Sequence, residues 1–122
     1  YGYARVSDQE RRRWDDLINS YFSAARRRAV LLQLLDCRHA PSADDRQMLE
    51  YLRYHQVEFA LVLTKADKLK KSQIAAVTED FARVGAEYGC KDIFLVSSET
   101  GAGIAEIQAF LSARWESEDG VQ

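Results

Sequence analysis

Three apolar runs set the frame of this chain: Ala29-Val30-Leu31-Leu32-Gln33-Leu34-Leu35, Phe59-Ala60-Leu61-Val62-Leu63 and Ile93-Phe94-Leu95-Val96. None alternates with polar residues, so each reads as a strand covered on both faces, the pattern of parallel strands sandwiched between helices. Their starts lie about 30 residues apart, the length of one strand-helix-strand unit. Each gap therefore holds one crossover helix.

The intervening segments carry helical signals. Ser7-Asp8-Gln9-Glu10 has the form of a capping box, with Ser7 accepting from the N3 amide. Trp14, Leu17, Ile18, Tyr21, Phe22 and Ala25 follow at helical spacing as a stripe to bury, while Arg12, Asp15, Asp16 and Asn19 face water. Pro41-Ser42-Ala43-Asp44-Asp45 supplies a second cap, and Met48, Leu49 and Leu52 the inner side of a helix ending near Tyr54 and His55. A third helix begins at Ser72, buries Ile74, Val77, Phe81, Val84 and Tyr88, and stops at Gly89, with Gly85 a weak point inside it. The last runs from Gly103 to about Trp115 with Ile104, Ile107, Phe110 and Leu111 inward, and Glu116 to Gln122 reads as a frayed tail.

Right-handed crossovers make the three strands parallel, with helices on both faces: a three-layer α/β fold. At 122 residues the chain holds one domain, residues 1–115, followed by the tail 116–122. Three strands are few for such a sheet. An exposed hydrophobic edge would invite pairing with another chain, and strands upstream of Tyr1 would relieve it. The only methionine is Met48, so Tyr1 is not expected to be a natural start.

Composition narrows the function classes. Charged residues make up 30% and the net charge is -2, so nothing points to a nucleic-acid surface over the whole fold. Arg11, Arg12, Arg13, Arg26, Arg27 and Arg28 bracket one helix; they read as its solvated face and C-terminal turn, or as a local basic patch. Cys37 and Cys90 lack CxxC spacing, which suggests neither zinc nor a disulfide framework and makes a reducing cytosol the default. No apolar run approaches the roughly 20 residues of a membrane span, and no leader is expected.

In an open parallel sheet, ligands bind beyond the carboxyl ends of the strands. Those ends empty into Asp36-Cys37-Arg38-His39-Ala40-Pro41, Thr64-Lys65-Ala66-Asp67 and Ser97-Ser98-Glu99-Thr100-Gly101. Asp67 can accept two hydrogen bonds at once from the N1-H and N2 amino edge of guanine, a pair of donors that adenine lacks. Lys65 would lay its stem along the nucleotide, while Thr64 and the Ala66 backbone hold the loop. By itself Thr-Lys-x-Asp is equally a capped loop before a helix. Its place at the end of a buried strand, with Val96, Ser97 and Ser98 ending the next, favours the base-reading alternative, the turn amides meeting guanine O6.

These two loops resemble the fourth and fifth guanine-nucleotide motifs of P-loop GTPases. Together with Tyr1-Gly2-Tyr3-Ala4 and with Asp36-Cys37-Arg38-His39-Ala40-Pro41 and Asp44, they resemble the EngB family of ribosome-assembly GTPases, as a carboxy-terminal portion. The resemblance runs to about Trp115. It implies a cytoplasmic protein that binds GTP and GDP, hydrolyses GTP slowly with magnesium, and assists maturation of the large ribosomal subunit or contacts its RNA, in ribosome biogenesis linked to cell division. It also assigns the guanine-nucleotide site to Thr64, Lys65, Ala66, Asp67, Val96, Ser97 and Ser98, and places Tyr1 to Ala4 after an Asp-x-Pro-Gly switch. Asp36, Arg38 and His39 receive no chemistry and read as a hydrogen-bonded strand end before a helix cap.

The departure from the family is large. The chain contains no Gly-x-x-x-x-Gly-Lys-Ser/Thr, the loop that cradles phosphates and serves magnesium, and the first switch and the acid of the Asp-x-Pro-Gly motif are missing too. No catalytic or metal residue is therefore expected in it, magnesium is expected only in the complete protein, and the chain alone should not hydrolyse GTP. The alternatives are a non-enzymatic module that self-associates by its strand edge or presents its arginine-rich helix to ribosomal RNA, and a flavodoxin-like receiver or small-molecule domain.

Overall fold

The Ser7 hydroxyl accepts from the Glu10 amide at 3.1 Å and opens helix α1, Asp8–Ala24. A computed structural model of the chain describes residues 7–24 and 30–121. Tyr1 to Ala4, Ala25, the arginines 26 to 28 and Ala29 lie outside the described residues. Strand β1 (Leu31–Asp36), helix α2 (Ala43–Tyr54), strand β2 (Phe59–Thr64), helix α3 (Lys71–Glu87), strand β3 (Ile93–Leu95) and helix α4 (Ile104–Val121) follow, with a 3-10 turn at Ala66–Lys68. The backbone of α4 continues past Trp115, where the apolar periodicity ends; Glu116, Ser117, Glu118 and Asp119 lack a helix breaker.

The sheet has three strands in the order β1-β2-β3. Both pairings are parallel, with Leu31 opposite Phe59, Asp36 opposite Thr64, and Val62 opposite Phe94. Central β2 is buried from Phe59 through Leu63, which is why its sequence shows no alternation. One face of the sheet presents Leu35, Phe59, Leu61 and Leu63 to a core that takes in Ile18 of α1, Leu49, Tyr51 and Leu52 of α2, and Phe81 of α3. Fully burying a leucine of this kind stabilises the fold by about 1.5–3 kcal/mol. The opposite face meets α4, where the Phe94 and Phe110 rings lie 5.1 Å apart. Arg114 of α4 also forks onto Glu58 at the foot of β2, with both bonds 2.6 Å.

Two expected core residues of α1 are not buried. Leu17 is 48% and Phe22 51% exposed, because α1 touches the core only along the narrower line of Trp14, Ile18 and Tyr21. Trp14 packs edge-on against Tyr51, whose hydroxyl donates to Asp15. Ile74 and Ile104, at the exposed starts of α3 and α4, are likewise more than a third exposed. Along the outer edge of β1 no strand pairs among the described residues, and Leu34 there is 58% exposed.

The α2 cap is complete. The Ser42 hydroxyl accepts from the Asp45 amide at 3.0 Å, and the Asp45 carboxylate accepts from the Ser42 amide at 3.0 Å. Replacing Ser42 by Ala should lower unfolding free energy by about 1 kcal/mol in a urea titration; an unmoved midpoint would show that the box contributes nothing. In α3, Gly85 is a close-packing residue, since a Cβ there would sit 2.6 Å from the Cys90 carbonyl oxygen and 3.0 Å from Ile93 Cδ1. Its weak helix propensity is the cost of bringing α3 onto β3.

Candidate functional site

The parallel register puts the carboxyl ends of all three strands on one rim, and the loops leaving them are tied to one another. Cys37 donates its amide to the Thr64 carbonyl at 3.1 Å, and the Thr64 hydroxyl donates to the Leu35 carbonyl at 3.2 Å. The Ala66 amide donates to the Val96 carbonyl at 2.9 Å, and Val96 donates to the Leu63 carbonyl at 2.8 Å. The Thr64-Lys65-Ala66-Asp67 loop is thus clamped between its neighbours by main-chain bonds on both sides.

Within that clamp Lys65 adopts a left-handed backbone, φ 67° and ψ 35°. A side chain with a Cβ pays about 1 kcal/mol or more for this conformation. The reversal turns the chain into the 3-10 turn and swings Asp67 across the end of β2 toward β3. There the Ser97 hydroxyl donates to Asp67 Oδ1 at 2.8 Å. Asp67 Oδ2 lies 3.8 Å from Lys68 Nζ, and the Asp67 side chain keeps 18% of its surface exposed. The two loops are therefore in direct contact.

Ser97 is fully buried and occupied in every direction. Besides donating to Asp67, its hydroxyl accepts from the amides of Glu99 at 3.2 Å and Thr100 at 3.1 Å. Its own amide donates to the Ala102 carbonyl at 3.0 Å, and its carbonyl accepts from Gly101 at 2.8 Å. Of the three turn amides considered for guanine O6, those of Val96 and Ser97 are thus consumed within the protein. The Ser98 amide donates to no described residue, and Ser98 is exposed. Ser97 holds the carboxylate, and Ser98 faces outward with a donor to offer.

The third loop reaches the same rim. Asp36 accepts from the Arg38 amide at 2.9 Å and from Arg38 Nε at 3.0 Å through Oδ1, and from Arg38 Nη2 at 2.8 Å through Oδ2. This is the hydrogen-bonded strand end expected for Asp36 and Arg38. Its Oδ2 also lies 3.3 Å from Lys65 Nζ, a contact that sequence reasoning missed. The parallel register, which sets Asp36 level with Thr64, brings the two together, and no local sequence signal announces it. The Arg38 guanidinium, then the Arg38 amide, with Lys65 adding to both, hold the Asp36 carboxyl well below the usual carboxylate range. Burial pushes the neighbouring Cys37 thiol up, so it is a packing group. His39 is exposed and lines a cavity of about 240 Å³ with Arg38, Pro41, Arg46 and Phe81.

Known proteins are similar to this chain. A probable GTP-binding protein EngB of Thermotoga maritima is 38% identical over 92% of this chain and 57% of its own length. Its counterpart in Geobacillus thermodenitrificans is 36% identical over 91% of this chain and 57% of its own length. The chain belongs to the EngB family. A Streptococcus pneumoniae member reaches 45% identity over 60% of this chain and 37% of its own length. This EngB-family chain thus spans between 37% and 57% of the length of these curated relatives. No family model matches it. Among solved structures, the apo form of translation elongation factor SelB from Methanococcus maripaludis superposes with a TM-score of 0.60 at 17% identity, covering 71% of this chain and 19% of that one. At that identity the likeness speaks to fold alone, and it agrees with part of a P-loop GTPase fold.

Proposed function

We propose that this chain is the guanine-recognising part of an EngB-family GTPase. The contact between Asp67 Oδ1 and Ser97 Oγ carries the reading, because it joins the two loops and holds one oxygen of the carboxylate in place. On this reading Asp67 accepts from guanine N1-H and N2-H, the Ser98 amide donates to O6, and the Lys65 stem covers the ring. Thr64, Ala66, Val96 and Ser97 act by holding those three in place. Each charge-assisted bond to Asp67 would contribute about 1.5–3 kcal/mol.

The wider role rests on family resemblance: GTP hydrolysis in the complete protein, assistance to assembly of the large ribosomal subunit, and a cytoplasmic site of action. No helix among the described residues is long and apolar enough to cross a membrane. Magnesium belongs, on this reading, to the complete protein, because the Gly-x-x-x-x-Gly-Lys-Ser/Thr loop whose hydroxyl serves it is not in this sequence. No hydrolytic step is therefore assigned to this chain.

Titrating the full-length protein with fluorescent guanosine and adenosine diphosphates tests the base assignment. Guanosine diphosphate should bind at least about a hundredfold tighter, as expected where a polar site would be left unpaired by the wrong base. Equal affinities would sink the assignment.

A further inference from the structure

We infer that Asp36, gripped by Arg38, is a positioning residue for Lys65 and through it for the base-reading loop, an inference that rests on the function proposed above. Asp36 closes β1 directly opposite Thr64, so its carboxylate stands one residue below Lys65 across the strand pair. The Arg38 side chain takes one oxygen with Nε at 3.0 Å and the other with Nη2 at 2.8 Å. A planar fork of this kind fixes the orientation of the carboxylate as well as its position. The same Oδ2 is then a stationary acceptor 3.3 Å from Lys65 Nζ.

Lys65 has reason to need one. Its backbone is left-handed, and 53% of its side-chain surface is exposed. An ammonium on a flexible four-carbon stem loses rotamer freedom when it is ordered. If that ordering happened only when the nucleotide arrived, it would be subtracted from affinity. Tied to Asp36, the stem is already laid along the rim, and the bonds from the Cys37 amide to the Thr64 carbonyl and from the Thr64 hydroxyl to the Leu35 carbonyl keep the two strand ends from sliding.

A turn-making role alone accounts for less. Shaping the bend before Pro41 needs the Arg38 amide bond to Asp36, and nothing in that bend requires Lys65. The contact with a second loop, 29 residues further along the chain at Lys65, is what separates a positioning residue from a local turn.

The test is a coupling cycle in the full-length protein, read as the dissociation constant of a fluorescent guanosine diphosphate. Asp36→Asn should weaken binding about fivefold, in line with a partly exposed ion pair. In a Lys65→Met background the same substitution should cost nothing further, because the group it acts through is gone. The preference for guanosine over xanthosine diphosphate should stay as in the wild type, since Asp67 is untouched. Should thermal melting show Asp36→Asn unfolded, Arg38→Gln, which frees the carboxylate without removing it, carries the same cycle with the same expectation. An unchanged affinity, or an equal loss with and without Lys65, overturns the inference while leaving the base-reading assignment standing. A wild-type protein with no preference for guanosine overturns both.

Discussion

Asp67→Asn in the full-length protein is expected to weaken guanosine diphosphate binding about a hundredfold and to strengthen binding of xanthosine diphosphate. The carboxylate offers two acceptors to two neighbouring donors on guanine, whereas an amide offers one acceptor and one donor. Its NH2 would then point at the N2 amino group, so one charge-assisted bond is lost and two donors oppose each other, about 2–4 kcal/mol in all. Each 1.4 kcal/mol is a factor of ten in affinity. Xanthine carries an oxygen where guanine carries that amino group, so the same amide becomes complementary. The oxygen of the substituted side chain can still accept from the Ser97 hydroxyl now 2.8 Å from Asp67 Oδ1, so the loops should stay together and the change should appear as altered preference. Competition titrations with guanosine, xanthosine and adenosine diphosphates measure it. An unaltered order of preference would remove Asp67 from base recognition.

The second large effect is on stability, at the glycine that joins the Ser97 turn to α4. Gly103 has φ +80°, and a Cβ there would lie 2.1 Å from the Leu95 carbonyl oxygen and 2.9 Å from Val96 Cγ1. Backbone cannot yield as a flexible side chain can, so Gly103→Ala must displace either β3 or the start of α4. We expect a loss of about 3 kcal/mol or more in unfolding free energy, combining the left-handed backbone with overpacking. Gly101 supplies the internal control: its φ is +82°, yet nothing lies within 4 Å of its missing Cβ. Gly101→Ala should therefore cost only about 1–2 kcal/mol. Equilibrium urea unfolding of both variants separates crowding from conformation, and equal losses would refute the close approach of Gly103 to β3.

Much of the rim was readable before any coordinates. The unbroken run Phe59 to Leu63 announced a central strand because both its faces had to be apolar, and it is buried throughout. Ser7 and Ser42 announced helix starts because a hydroxyl there satisfies an amide that has no partner within the helix, and both accept from the residue three positions on. The stripe on α1 misled about Leu17 and Phe22, since periodicity reports which residues share a face and not how wide a neighbour will cover it. Gly85 read as a defect in α3 for a similar reason: its use lies in the approach of Cys90 and Ile93, which helix propensity does not register.

By itself the sequence determined the order of elements, the parallel sheet and the delivery of three polar loops to one rim, because strand and helix periods are local properties that each segment carries in its own residues. Only the tertiary structure decided that Ser97 meets Asp67, that Asp36 meets Lys65, and that the Ser98 amide is left to donate. Those facts depend on strand register and on distances of a few ångströms between residues about 30 positions apart, and such distances are set when the layers pack.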